Sequence, residues 1–413
     1  MSKLSHKAQV ASAQGDLKSA IYYVQQFLLE EQDQPLPRDN SSEKQQVLEV
    51  LLEILDQGDF HSRWDVVKLL PHWGVEALPS LMAILESDPE DPEKQWFVTR
   101  ILGSFPHPPV IQSLIHCLHH SPHEDVVSSA AAALATMGEA AVVALGELLE
   151  EPESRLLAVR SLAQIRCPAV IEPLLGAVKD DDWQVRAIAL EALASFHQEP
   201  ILEQLILSLD DLAAPVRKEA VIGLGMQAHV FPEYNLLPYL QPRLYDFNLS
   251  VCQQAAIAIS RLGSNEAAQT LLNVLQSAAT PIRLKIDLIR ALAWMETPYS
   301  LDCLRFVLNN QPEATTREII AVLGRVESLT LRPIAAQILL DFAQTQPLYL
   351  TPEIKQALAV AWGQLQDSCA LDYLSQMQED AEPKVKLHAI AALKKLHSTQ
   401  PKVSRGRLLY PKG

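Results

Sequence analysis

A Val-Arg motif that closes on a Leu eight residues after the Val recurs along most of the chain. Clear copies are WQVRAIALEALASF at 183–196, APVRKEAVIGLGMQ at 214–227 and EPKVKLHAIAALKKL at 382–396. The closing residues are Leu70, Leu102, Leu134, Leu162, Leu193, Leu224, Ile259, Leu292, Leu323, Trp362 and Leu393, spaced 32, 32, 28, 31, 31, 35, 33, 31, 39 and 31 apart. Self-similarity at such a period decides the architecture before any local reading does. Each copy holds two stretches with apolar residues at helical spacing, for example Val185, Ile188, Ala189, Ala192 and Leu193, then Ile201, Leu202, Leu205, Ile206 and Leu209. One helix hairpin cannot bury its own apolar face, so about eleven neighbours must stack. The expected fold class is all-α, a right-handed α-solenoid of helix hairpins. Gly103, Gly225, Gly324 and Gly363 follow the closing residue directly, which implies close approach of the paired helix.

The Val-Arg pair, the small residue after it and the Leu-Ala/Gly step resemble HEAT repeats, an armadillo-type superhelix. They resemble in particular the HEAT-like repeats of phycobilisome bilin lyases, over roughly 57–397. The resemblance implies a ladder of acidic and basic residues between neighbouring repeats. Its basic positions here are Arg63, Arg155, Arg186, Arg217, Lys285, Lys355 and Lys386, and its acidic positions are Asp59, Asp91, Glu151, Asp182 and Glu382. Cys252 and Thr316 stand at the basic position in two repeats and are expected to interrupt it. Fold follows from this resemblance; function does not, because one repeat type serves many partners.

The ends differ from the repeat. Residues 1–56 read as a helical N-terminal cap over an otherwise exposed apolar face. Within it QGDLKSAIYYVQQFLLEE resembles one helix of a tetratricopeptide hairpin, DQPLPRDNSS at 33–42 reads as a loop, and EKQQVLEVLLEILDQGD resumes as helix. Residues 57–397 form the solenoid, and 398–413 read as a basic extended tail. From Lys384 onward there are eight Lys or Arg and no acid, so with a net charge of −16 the remainder carries −24. A solvated end is the default for such a tail.

That acidic balance works against nucleic acid or an anionic membrane as the main partner, since both need a basic footprint. No apolar run approaches a membrane span, and the start MSKLSHKAQVASAQGD has no apolar core of a secretory signal. Five cysteines lie at least 50 residues apart, which is neither a disulfide framework nor a metal knuckle. The expected location is cytoplasmic.

Several clusters could carry chemistry. His107, His116, His119, His120 and His123 place five of twelve histidines in 17 residues. His116 with His119 or His120 has helical spacing for a shared metal, with Cys117, Glu124 or Asp125 near in sequence. Cationic side chains at a helix end account for them without a metal, and that account is preferred. Deoxyhypusine hydroxylase is a HEAT-like enzyme whose di-iron site needs several His-Glu pairs, whereas this chain has one, His123-Glu124. Cys117, Cys167, Cys252, Cys303 and Cys369 lie repeats apart and read as small apolar filler rather than cofactor ligands. The six Trp read as core. No phosphate loop, nucleophile elbow or HExxH motif occurs.

The densest aromatic stretch is FPEYNLLPYLQPRLYDF at 231–247, in the long, Pro-rich sixth repeat. Phe231, Tyr234, Tyr239, Arg243, Tyr245 and Phe247 are of the types that anchor protein interfaces, and Pro232, Pro238 and Pro242 would distort the second helix that presents them. Acidic inter-repeat turns at 88–93, 150–153, 180–182 and 210–211 suit helix starts, and their alignment could steer a basic partner. The expectation is a non-catalytic scaffold or adaptor without a cofactor that holds another protein on its concave face. The resemblance implies an alternative, a bilin-lyase-like subunit or accessory factor that helps load a bilin or iron–sulphur cofactor onto an apoprotein.

Overall fold

The computed structural model describes residues 3–33, 41–87, 91–231, 234–309 and 311–399. Among them the chain is helical throughout, without a strand. At the N-terminus stand α1 (Lys3–Ala13), α2 (Leu17–Asp33) and α3 (Ser41–Gln57). Repeats one to four are α4 (Phe60–Leu69) and α5 (Leu78–Ser87), α6 (Pro92–Leu102) and α7 (Pro108–His120), α8 (Glu124–Met137) and α9 (Glu139–Leu148), α10 (Arg155–Leu162) and α11 (Ile171–Ala177). Repeats five to eight are α12 (Trp183–Leu193) and α13 (Glu199–Ser208), α14 (Ala214–Gln227) and α15 (Leu237–Leu240), α16 (Leu249–Arg261) and α17 (Asn265–Gln276), α18 (Ile282–Trp294) and α19 (Pro298–Leu308). The last are α20 (Glu313–Leu323) and α21 (Arg332–Thr345), α22 (Pro352–Leu365) and α23 (Leu371–Met377), and α24 (Pro383–Thr399).

The fold is an all-α solenoid, and it divides into two compact units, Met1–Phe196 and His197–Gly413. In the first unit α4, α6, α8, α10 and α12 lie side by side in one layer, with α5, α7 and α9 in a second. In the second unit α14, α16, α18, α20, α22 and α24 form the first layer, and α17, α19 and α21 run in the second. All eleven closing residues are buried between the layers, ten of them completely, with Leu393 the partial exception. Burying one such side chain stabilises by roughly 1.5–3 kcal/mol, so the repeated position is the spine of the core.

The post-Leu glycines serve a different neighbour from the expected one. A Cβ at Gly103 would stand 3.1 Å from Ala133, one at Gly225 2.9 Å from Ala258, one at Gly324 2.7 Å from Ala361, and one at Gly363 3.1 Å from Ala392. Each alanine lies on the next repeat's first helix, one residue before that repeat's closing residue. Close approach therefore joins first helix to first helix, not the two helices of one hairpin. The tryptophans also divide: Trp362 and Trp73 are buried, whereas Trp183 and Trp294 are exposed.

At the N-terminus α1 and α2 pair through a turn at Gly15 (φ +75), and α2 and α3 both pack on α4. Phe27 stacks on Trp73, ring centroids 6.2 Å apart. Of the expected loop at 33–42, Asp33 ends α2, Ser41 and Ser42 begin α3, and 34–40 lie outside the described residues. Ser398 and Thr399 close α24, and the rest of the expected tail likewise lies outside them.

Candidate protein-binding surfaces

The basic position of the repeat has one local role and one inter-repeat role. Locally its side chain satisfies a carbonyl at the end of the preceding helix or in the turn that follows it. Arg63 donates to Asp56 O (2.9 Å), Arg155 to Leu149 O (3.0 Å), Arg186 to Asp180 O (2.8 Å) and Arg217 to Asp211 O (2.8 Å). Cys252 and Thr316 keep this role with shorter side chains, Cys252 Sγ donating to Asp246 O (3.1 Å) and Thr316 Oγ1 to Gln311 O (3.4 Å). Between repeats, the base reaches an acid that precedes the next first helix: Arg63 meets Asp91 at 2.9 Å, Arg155 meets Asp180 at 3.4 Å, Arg217 meets Asp246 at 2.7 Å and Lys355 meets Asp380 at 2.6 Å.

Among the expected acids, Asp91 is thus joined to a base. Asp59 and Asp182 cap their own helices, accepting from the Ser62 and Gln184 N–H groups at 2.9 and 2.8 Å, and Glu151 accepts from Ser154 Oγ at 3.1 Å. Asp180, Asp246 and Asp380 stand two residues nearer the preceding repeat than the expected acidic position. Burial pushes the Asp246 carboxyl up, but Arg217, the Asn248 N–H and Arg243 outweigh it and hold the group below its ordinary value. The Lys355 hydrogen bond depresses Asp380 in the same direction. The structure brings Lys285, Lys386 and Glu382 into no such ion pair among the described residues.

The aromatic stretch separates into two sets. Leu236, Leu240 and Leu244, four apart, are buried and hold a short second helix, α15 continued as a 3-10 turn at Gln241–Tyr245, against the core. Arg243 ties this segment to the preceding turn, donating to Leu209 O (2.7 Å) and Asp210 (2.9 Å). Phe231 and Tyr234 meet edge to face at 6.0 Å, and the Tyr234 hydroxyl donates to Glu199. Phe231, Tyr234 and Arg243 are half-buried and tied to neighbouring parts of the chain. Tyr239, Tyr245 and Phe247 point outward, 44%, 66% and 107% exposed. Pro238 sits in the first turn of α15 and Pro242 in that of the 3-10 turn, so α15 ends after a single turn.

His116, His119 and His120 line a groove of about 360 Å³ between α7 and α9, with Glu147 and Glu151 opposite, whereas His107 and His123 stand at the starts of α7 and α8. His116 and His120 stack at 4.1 Å, His120 Nδ1 lies 3.0 Å from His116 O, and His119 Nδ1 lies 3.3 Å from Ser154 Oγ. Among the described residues no group of three or more His, Cys, Asp or Glu is arranged to hold a metal ion. Burial pushes the thiols of Cys117 and Cys303 up to about 11 and that of Cys369 to about 12, so these three are protonated at neutral pH.

Two surfaces escaped the sequence reading. In the first unit Trp64 and Trp96 stack at 6.0 Å with Arg100 over both, and Phe60 flanks them, 53% exposed. In the second unit Trp294, 62% exposed, borders a groove of about 670 Å³ lined by Asp287, Arg290, Arg325 and Glu327. The signal was present, since Trp64 and Trp96 are one period apart, in register, each six residues before the closing Leu.

No curated protein matches the chain. Among solved structures, the karyopherin Kap121p bound to the extreme C-terminus of the protein phosphatase Cdc14p is 14% identical, with a TM-score of 0.51 over 95% of this chain and 45% of that one. Kap121p bound to Ste12p gives 15%, 0.50 and the same coverage. Human deoxyhypusine hydroxylase is 20% identical, with a TM-score of 0.29 over 63% of this chain and 97% of that one. Residues 48–135 and 142–225 match the family model for HEAT repeats, the first stretch beginning inside α3. Over those two stretches, about two fifths of the chain, the sequence is similar to HEAT repeats.

Proposed function

We propose that the chain is a non-catalytic scaffold that holds a partner protein, with Tyr239, Tyr245 and Phe247 as anchors. The carrying observation is their exposure on a segment that Arg243 and three buried leucines keep in place. Anchors on a fixed segment lose little conformational freedom on binding, which is what allows a few rings to dominate affinity. Docking on the concave face of the solenoid is part of the same proposal. Kap121p, of the same fold, was crystallised with a segment of another protein, and a similar use of this fold fits the reading.

A photo-crosslinking residue in place of Tyr245 tests this in the source cells. The expected product is one dominant protein adduct, absent when the crosslinker replaces Leu207, an exposed residue on α13. Equal, unspecific labelling from both positions would contradict the reading.

A further inference from the structure

The first-helix face of the first unit carries an arginine, Arg100, without the acid that Arg290 meets at the corresponding place in the second unit. Arg100 stands two residues before the closing Leu102, as Arg290 stands two before Leu292. Arg290 Nε donates to Glu318 at 2.7 Å, and Glu318 lies five residues before the next closing residue, Leu323. At the equivalent place after Arg100 stands Ser129, which is buried and bonds Thr99 at 2.6 Å. Arg100 meets no carboxylate among the described residues; its guanidinium lies 5.1 and 4.9 Å from the ring centres of Trp64 and Trp96. Arg160 repeats the pattern two repeats on, with Ile188 where the acid would be.

A guanidinium carries a planar fork of N–H donors that matches a carboxylate bidentately, and Arg100 is exposed. Beside it Phe60 stacks on Trp64 at 6.3 Å and stays half-exposed, an apolar wall next to the cation. On the next helix Ser128 and Ala132 are small and exposed, which leaves the approach open. We infer that this face docks an acidic segment of another protein, one that places a carboxylate on Arg100 and a large apolar side chain against Phe60 and Trp64.

The test uses the full chain with isotope-labelled tryptophan and the peptide acetyl-Asp-Glu-Phe-Glu-amide. The indole signals of Trp64 and Trp96 are expected to shift saturably, and added salt to weaken the effect. The Asn/Gln counterpart and the Arg100→Gln chain should each bind about tenfold more weakly or worse, with Arg100→Lys between them. Tyr239→Ala with Tyr245→Ala should leave peptide binding unchanged, which separates this surface from the one proposed above. An unchanged melt of Arg100→Gln excludes misfolding. The inference is overturned if a lysine peptide binds as well, if Arg100→Gln binds normally, if the shifts follow protein concentration as self-association would, or if no shift saturates by millimolar peptide.

Discussion

Arg217 and Asp246 show how much one residue pair carries. Both side chains are largely buried, and two 2.7 Å hydrogen bonds join them. Asp246→Asn leaves the guanidinium without its counter-charge, and the expected cost is about 2–3 kcal/mol in chemical denaturation. The depressed Asp246 and Asp380 carboxyls fix the sign of the pH dependence. Their contribution is complete above the unfolded aspartate value of about 3.9 and is lost as pH falls through the lower folded values. Stability of Asp246→Asn should therefore fall less steeply in acid than that of the parent chain. Of the bases the repeat motif picks out, Arg63, Arg155, Arg217 and Lys355 pair with an acid before the next repeat, and the motif marks only one of those acids, Asp91. Helix starts single out the residue just before the helix, and at Asp182 that carboxylate is engaged with its own helix's N–H groups. In three of the four pairs the acid lies two residues further back, at Asp180, Asp246 and Asp380.

At the scale of elements, the glycines separate packing from propensity. Gly324→Ala sets a methyl 2.7 Å from Ala361 Cβ and 2.8 Å from its Cα, where backbone must move. The expected loss is about 1–3 kcal/mol despite the gain in helix propensity. Gly176, inside α11, has nothing within 4 Å of an added methyl, so Gly176→Ala should stabilise by up to about 1 kcal/mol. Thermal melts of the two variants should move in opposite directions. The paired helices of the repeats, their order and their buried stripes were legible because helical spacing and the period reinforce one another over eleven copies, whereas α1, outside the repeat, was not. The partner of each glycine was not, because periodicity along a helix does not say which neighbour its bare side faces. The 231–247 stretch was legible as a distorted second helix, yet composition alone could not separate Arg243, half-buried and tied to the preceding turn, from Tyr245, an exposed ring.

At the scale of the molecule, the repeat dictates an all-α solenoid and says little about where its surface is used. The division after Phe196 has no mark in the repeat spacing, which stays at 31 on either side of Leu193. Exposed rings gather instead where the repeat is locally broken, at Tyr239, Tyr245 and Phe247, or where a large residue occupies an outward position, as at Phe60 and Trp294. The central claim is that the chain holds a protein through the first of these groups. A native pull-down from the source cells, run in parallel on the parent chain and on Tyr239→Ala with Tyr245→Ala, tests it most directly. The account predicts one dominant protein retained by the parent and largely lost by the variant, with melting temperatures within about 2 °C of each other, as expected when exposed side chains are removed. Equal retention by both chains, or a variant that melts many degrees lower because the rings are core filler, would contradict it.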